Sequence, residues 1–174
     1  MSDRLAVMNA GRIVQTGTPR QVYEEPADTY VADFLGAANL MEIEVISAGP
    51  PGELRLGDWA LTSQRCEVGD ADFTGRAHAV IRPERVRIEA HGSPGENRVP
   101  AMVERVVFLG SATQVMLRLA PGVPLQALVQ NDGQNPDLAQ GTPVHCYLPP
   151  DALRVLAGER ADVPIVADEP LVSR

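Results

Sequence analysis

The chain has no lysine. Its 15 basic residues are all arginine, 23 residues are acidic, and the formal charge is −8. A nucleic-acid-binding protein normally carries a basic face and stacking aromatic side chains, but only 4% of this chain is aromatic. The glycine-rich loop that cradles nucleotide phosphates also requires a lysine. The composition therefore argues against a nucleic-acid partner and excludes a phosphate loop of that kind from this sequence.

Cysteine and histidine are also sparse. Cys66 and Cys146 have no second ligand at metal-binding spacing, so we interpret them as small, buried, reduced residues. His78 and His145 lie in strand-like runs, and His91 lies in a Gly/Pro loop. Satisfied or solvated side chains are the ordinary state of such histidines. We expect no catalytic residue and no metal site.

Long apolar runs are missing as well. No stretch approaches the length that spans a membrane, and no charged-then-apolar signal sequence opens the chain. We therefore expect a soluble, cytoplasmic protein without direct membrane insertion. Hydrophobic residues make up 44% of the 174 residues, which is enough for one good core or two small ones. With so few aromatics, that core must consist of Val, Leu, Ile and Ala.

The first forty residues have the pattern of a hairpin followed by two short helices. The β-type runs Leu5 to Met8 and Arg12 to Gln15 flank Asn9-Ala10-Gly11, which suits a tight turn with glycine in the left-handed conformation. Thr18 can cap the first helix and close a capping box with Gln21.

The second helix has its own start and stop signals. Pro26 ends the first helix, Asp28 can cap the second, and Gly36 is placed to end it. The pairs Tyr30–Phe34 and Val31–Leu35 share one helix face.

After Asn39 the helical spacing gives way to short alternating runs. Leu40 to Ile46 alternates apolar with acidic residues, which is typical of a half-buried strand. The run from His78 to Arg82 is interrupted by Pro83 and resumes from Arg85 to Glu89, so it requires an edge position or a bend. Many short strands between Gly/Pro loops predict a small barrel rather than a parallel sheet.

The N-terminal run resembles the last part of the ATPase domain in ABC importer subunits. In that family, the switch histidine is followed by the motif D-R-[IL]-x-V-M-x-x-G-x-I-x-Q-x-G-T-P. It leads through a helix ending Y-x-x-P to F-V-A-x-F-[IL]-G and then Asn. Tyr30 stands where the family usually has Phe. The matching residues are Asp3, Arg4, Leu5, Val7, Met8, Gly11, Ile13, Gln15, Gly17, Thr18, Pro19, Tyr23, Pro26, Val31, Ala32, Phe34, Leu35, Gly36 and Asn39.

Three later runs resemble the transport-associated OB-type domain, called TOBE, which follows the ATPase domain in importers of polyamines, ferric iron and sugars. They are V-I-R-P-E-R-V-R-I (Val80 to Ile88), V-E-R-V-V-F-L-G-S (Val103 to Ser111) and P-P-D-A-L-R-V-L (Pro149 to Leu156). The two resemblances together imply a mainly β fold: an OB-like TOBE barrel preceded by a β-hairpin and two-helix remnant of the ABC ATPase domain. They place the ATPase tail at residues 1–36, the TOBE domain at 37–158 and a peripheral tail at 159–174.

The ATPase resemblance also shows what this chain does not carry. The family binds ATP and Mg²⁺ with a phosphate loop, a carboxylate, a signature loop and the switch histidine. The resemblance therefore implies the C-terminal part of such a subunit, with no cofactor of its own. The full-length parent would be a transport ATPase, with ATP and Mg²⁺ bound in its missing domain.

Arg82, Pro83 and Glu84 are candidate interface or regulatory residues, because in this family the accessory domain contacts its partner copy or a regulator. The alternative is that Pro83 bends the strand while Arg82 and Glu84 form an exposed pair that contributes little. The segment Phe108 to Ser111 presents the same choice between core packing and a contact patch.

The leading hypothesis is an accessory, regulatory region of an importer ATP-binding subunit for spermidine/putrescine-type import, acting in dimerisation and control. Iron and sugar importers are close alternatives. Such a region would work with membrane permease subunits through the parent ATPase domain, at the cytoplasmic side of the inner membrane. The second hypothesis is a module that binds an oxyanion such as molybdate, or another small ligand, between protomers. The negative charge weighs against it, although a nest of backbone N–H groups would not show in the composition.

A homodimer is expected as well. Without an ATPase core to cover them, the hairpin and helices would expose a large apolar surface, and unpaired strand edges favour pairing with a second copy. The alternative is that the segment folds back on its own barrel. The candidate surface residues are Leu5, Val7, Ile13, Val14, Val22, Tyr30, Val31, Phe34 and Leu35.

The missing phosphate loop generates the first prediction. Titration of the purified chain with Mg-ATP in a calorimeter should show no tight binding, and no phosphate should be released. A micromolar dissociation constant for Mg-ATP would contradict the prediction, because a second kind of nucleotide site would then have to exist.

Overall fold

The computed structural model describes residues 3–36, 38–66, 68, 72–120, 122–131 and 138–156. Twelve strands, two α-helices and one 3₁₀ turn are found in these ranges. The tail expected at 159–174 lies outside the described residues. No helix among the described residues is long and apolar enough to cross a membrane.

The N-terminal segment is the expected hairpin and helix pair. Strands β1 (Leu5–Asn9) and β2 (Arg12–Gly17) pair antiparallel, and helices α1 (Pro19–Glu24) and α2 (Thr29–Phe34) follow. The turn differs in one respect, because Ala10 joins Gly11 at positive φ, with values of 46° and 78°. Two left-handed residues in succession match the twist of a two-residue hairpin.

Both helix starts form as the sequence predicts. The Thr18 hydroxyl accepts from the backbone N–H of Gln21 at 3.2 Å, and the Gln21 side chain accepts from the N–H of Thr18 at 3.1 Å. The Asp28 carboxylate accepts from the N–H of Val31 at 2.8 Å. Each cap satisfies a donor that the first helical turn leaves without a partner.

The rest of the chain forms two five-stranded antiparallel sheets. The first has the order β12-β6-β3-β4-β5 and the second the order β10-β9-β8-β11-β7. Their strands are β3 (Asn39–Ser47), β4 (Gly52–Leu56), β5 (Trp59–Ser63), β6 (Gly75–Ile81), β7 (Arg87–Ala90), β8 (Arg98–Phe108), β9 (Ala112–Leu119), β10 (Pro124–Gln130), β11 (Pro143–Tyr147) and β12 (Arg154–Leu156). The mainly β prediction is confirmed.

The two sheets curl around one core. Strands β10 and β7 are the opposite edges of the second sheet, yet they contact each other, and β10 also packs against β3 and the 3₁₀ turn. The buried side chains of both sheets form a single cluster of mostly aliphatic residues. Its largest fully buried members are Met41, Leu54, Leu56, Leu61, Ile81, Leu117, Leu119, Leu125, Leu148 and Leu153.

The cysteines are part of this core. Cys66 and Cys146 are free and buried, as the sequence predicts. Burial raises the pKa of the Cys146 thiol to about 12 and also raises that of Cys66. Both thiols therefore stay protonated at neutral pH, and protonated thiols are poor nucleophiles.

The strand prediction around Pro83 needs correction. The chain does not bend within one strand: Pro83–Arg85 forms a 3₁₀ turn (η1), which carries the chain from β6 in the first sheet to β7 in the second. Proline fits this turn because its fixed φ suits the first helical position and its missing N–H is not needed there.

A buried asparagine joins the sheets at one seam. Asn97 is 1% exposed and takes φ 56°, a conformation that asparagine tolerates better than most residues. Its side chain donates to the carbonyls of Thr62 (2.7 Å) and Leu148 (2.8 Å) and accepts from the N–H of Thr62 (2.7 Å). The bonds hold β5 of the first sheet to the segment that follows β11 of the second.

Candidate functional site

The candidate site is the place where the N-terminal helices meet the barrel, formed by Tyr23, Ala32, Gly36, Asn39, Arg82 and Glu84. We call these residues the junction. Arg82 follows the last residue of β6 and is only 8% exposed. The ion pairs found among the described residues do not include it. A buried guanidinium of this kind must be satisfied by other acceptors.

Backbone carbonyls are those acceptors. Nη2 and Nε of Arg82 donate to the carbonyl oxygen of Tyr23 at 2.7 and 3.3 Å. Nη1 donates to the carbonyls of Ala32 at 3.1 Å and Gly36 at 3.2 Å. Tyr23 lies in the last turn of α1, while Ala32 and Gly36 lie at the end of α2. Since the last carbonyls of a helix have no partner within it, one arginine caps both helices.

The ring of Tyr23 holds the guanidinium from one side. The Cζ atom of Arg82 lies 3.9 Å from the ring centroid, a cation–π contact, and the Tyr23 hydroxyl donates to Glu84 at 2.8 Å. Burial, then the bond to Glu84, raises the pKa of Tyr23. Burial lowers the pKa of Arg82, but arginine starts so high that it stays charged at neutral pH.

The interpretation of Arg82 and Glu84 as an exposed pair is therefore wrong. Arg82 points inward to the helix ends, and Glu84 binds the Tyr23 hydroxyl rather than the guanidinium. Pro83 is buried and starts η1; the Arg82 guanidinium lies over the Tyr23 ring, and Glu84 accepts from the Tyr23 hydroxyl. Glu84 and Arg85 are both exposed, and Arg85 pairs with Asp151 at 2.7 Å.

Asn39 is a junction residue whose role the sequence did not reveal. It is 6% exposed, and its side chain donates to the carbonyl of Gln126 (2.8 Å) and accepts from the N–H of Gln126 (2.7 Å). This pairing attaches β3 to the outer edge of β10. The available signal was a polar residue on the same strand face as Met41 and Ile43, a position that demands hydrogen-bond partners once buried.

The candidate residues of α2 and its C-cap lie close together but differ in burial. Val31 is fully buried with Val7 and Val22, so the segment has a small core of its own, and Leu35 packs against it partly exposed. Tyr30 stacks on Phe34 with centroids 5.8 Å apart and donates its hydroxyl to the carbonyl of Met8.

The large exposed apolar surface expected for the N-terminal segment is reduced. Among its described residues, the large exposed hydrophobic side chains are Met8 (53%), Ile13 (61%) and Phe34 (61%). On the opposite face of α2, Ala32 packs against Val80 and Leu156 of the barrel. The segment thus folds back on its own barrel. The division into domains after residue 36 stays a prediction.

Among the residues that the structure describes, no group of three His, Cys, Asp or Glu side chains could hold a metal ion. The chemistry of the junction is hydrogen bonding between a cation, carbonyls and an amide. Such an arrangement attaches one part of the chain to another and orients it.

The cap by Arg82 predicts a specific loss of stability. Changing Arg82→Met keeps the length of the side chain but leaves three carbonyls without a donor, which should lower the free energy of unfolding by about 2–4 kcal/mol. Arg85→Met is the matched control and should cost about 0–1 kcal/mol, since its ion pair is exposed. Urea denaturation measures both, and equal losses for the two variants would contradict the cap.

Comparison with known proteins agrees with the two resemblances. Residues 79–156 match the family model of the TOBE domain. The spermidine/putrescine import ATP-binding protein PotA of Rubrobacter xylanophilus is 39% identical over 167 residues, covering 92% of this chain and 42% of PotA. PotA of Acidothermus cellulolyticus is 34% identical, covering 94% and 44%. The sulfate/thiosulfate import ATP-binding protein CysA 2 of Chromobacterium violaceum is 37% identical, covering 92% and 43%.

The comparison with solved structures supports the predicted fold of the barrel. The cytoplasmic molybdate-binding protein ModG superposes with a TM-score of 0.57 at 17% identity, over 67% of this chain and 94% of ModG, which supports the OB-like prediction for the barrel. The chain spans less than half the length of the curated relatives it matches. Residues 79–156 match the TOBE model, and the alignments with importer ATP-binding subunits extend over most of this chain; together they support its identification as the C-terminal, TOBE-containing part of such a subunit.

Proposed function

We propose that this chain is the accessory, regulatory region of an ABC importer ATP-binding subunit for spermidine/putrescine-type solutes. It acts in dimerisation and control of the subunit and does not itself hydrolyse ATP. The names of two relatives support the polyamine assignment, while the relative named for sulfate and thiosulfate import keeps a second solute class open. ATP and Mg²⁺ would be bound by the ATPase domain of the parent subunit.

The observation that carries the regulatory role is the junction. Arg82 holds both helices of the ATPase-tail-like segment against the TOBE barrel, and Asn39 binds the chain immediately after those helices to β10. These contacts would let a movement of the barrel reach the ATPase-tail-like segment directly. This proposal includes membrane permease subunits as partners, reached through the ATPase domain, and a location at the cytoplasmic side of the inner membrane.

A second candidate is oxyanion binding by the barrel. It is favoured by the shared fold with a molybdate-binding protein. Against it stands the formal charge of −8, which repels anions from most of the surface. Iron and sugar importers are further alternatives for the transported solute.

Uptake measurements test the polyamine proposal. The gene that encodes the chain is deleted in its source organism, and uptake of radiolabelled spermidine, putrescine and sulfate is followed with and without complementation. We expect polyamine uptake to fall to background while sulfate uptake persists. Complementation with the Arg85→Met variant should restore uptake as well as the original sequence does, because Arg85 lies outside the junction.

The opposite pattern would overturn the assignment. Loss of sulfate uptake with intact polyamine uptake would make the subunit part of an oxyanion importer. Calorimetric titration of the purified chain with molybdate, tungstate and sulfate then separates binding by the barrel itself from transport by another subunit.

The exposed apolar surface available for the proposed homodimer is smaller than the sequence suggests. Ile13 and Phe34 are exposed apolar residues on the N-terminal segment, and Phe108 (73% exposed) is a comparable residue on the β8–β9 hairpin. If the N-terminal segment is the interface, light scattering should give the mass of a dimer at micromolar concentration. The double variant Ile13→Ser/Phe34→Ser should weaken dimerisation by at least about tenfold.

The control for this experiment is Phe108→Ser, which should remain dimeric. A monomer mass for the unmodified chain would exclude the dimer. Dissociation by Phe108→Ser alone would move the interface to the β8–β9 hairpin.

A further inference from the structure

Strand β10 is attached to the junction along one edge. The middle of the strand is held by Asn39, whose amide binds both the N–H and the carbonyl of Gln126. Beside this contact, β10 packs against η1, the turn that directly follows Arg82. Asn39 is also the strand partner of Ile81, the residue before Arg82. The junction therefore contacts β10 through β3, which carries Asn39, and through η1, which carries Glu84.

The end of β10 is attached to a different part of the surface. Asn131 directly follows the strand and donates its backbone N–H to the carbonyl of Ser111 at 3.0 Å. Its side chain donates to the carbonyl of Gly110 at 2.7 Å and accepts from the Thr113 hydroxyl at 2.6 Å. Gly110 and Ser111 lie in the turn of the β8–β9 hairpin and Thr113 near the start of β9, next to the exposed side chains of Phe108 and Leu109.

Between its two attachments β10 has little freedom to deform. It pairs with β9 in unbroken register from Pro124 to Gln130, and Leu125 and Ala127 are buried in the core. Gln126 and Asn131 are five residues apart, roughly 16 Å along an extended strand. A displacement of Gln126 along the strand is therefore passed to Asn131 rather than absorbed between them, since packed cores deform little.

We propose that β10 couples the junction to the β8–β9 turn, so that a change in the position of the N-terminal segment alters the stability and position of that turn. Coupling of this kind is reciprocal, because the free energy that links two sites is the same in both directions. A protein that binds at the turn would thus be sensed at the N-terminal helices. The proposal concerns the mechanics of this chain and holds whichever solute the importer carries.

Native-state hydrogen exchange measured by NMR on the whole chain tests the coupling. Asn39→Ala removes both side-chain bonds to Gln126 and should accelerate exchange of the Asn131 N–H by about tenfold beyond the change in global stability. The matched control is Asn97→Ala. Asn97 also binds the N–H and the carbonyl of one residue, Thr62, but it lies at a different seam. Equal acceleration by both variants, after correction for global stability, would overturn the proposal.

The reverse experiment does not depend on folding of the Asn39 variant. Asn131 is exposed, so Asn131→Ala should leave the fold intact while releasing the turn. We expect exchange of the Gln126 N–H to accelerate while that of Thr62 N–H is unchanged. An unchanged rate at Gln126 would overturn the coupling, and a change of equal size at Thr62 would reduce it to a global loss of stability.

Discussion

The arrangement of this chain depends on one buried guanidinium. Arg82 caps the ends of two short helices with a single planar group, and α1 and α2 have only six residues each. Helices of that length are unstable alone in water, because their nucleation cost is not repaid by so few internal hydrogen bonds. The cap and the packing of Ala32 on Val80 and Leu156 therefore stabilise the helices through the barrel, and Val22 and Val31 stabilise them through the segment's own core with Val7. Without the barrel, we expect α1 and α2 to lose much of their helical structure.

Arginine suits this position better than any other cation. Its planar group directs several donors at fixed angles, and three carbonyls around it accept them while the Tyr23 ring covers one face. A lysine ammonium would keep the charge, but it could not direct donors at the same fixed angles or stack its plane on the Tyr23 ring. Burying the charge costs desolvation free energy, and the hydrogen bonds to partial negative charges at the helix ends offset it. No carboxylate is needed, which leaves Glu84 to orient Tyr23.

Local features of this fold could be predicted from the sequence, and distant ones could not. The capping box of Thr18, the cap by Asp28 and the alternation of β3 depend on residues within a few positions of each other, and all of them form. The partners of Arg82 lie 46 to 59 positions away, and the partner of Asn39 lies 87 positions away. Nothing in the local pattern of R-P-E distinguishes an inward arginine from an exposed one, so the surface-pair interpretation failed. The crossing between sheets at Pro83 was missed for the same reason.

The small number of aromatic residues explains why polar contacts matter so much here. A core of Val, Leu and Ala provides a large but non-directional driving force, so it specifies poorly how two sheets and a helical segment are placed relative to one another. Hydrogen bonds are directional, and three of the buried polar residues in the described part of the chain lie where separate elements meet. Arg82 fixes the helices on the barrel, Asn39 fixes β3 on β10, and Asn97 fixes β5 on the segment after β11. Each would leave unsatisfied groups in any shifted arrangement, so together they select one packing from the many that the apolar core would tolerate.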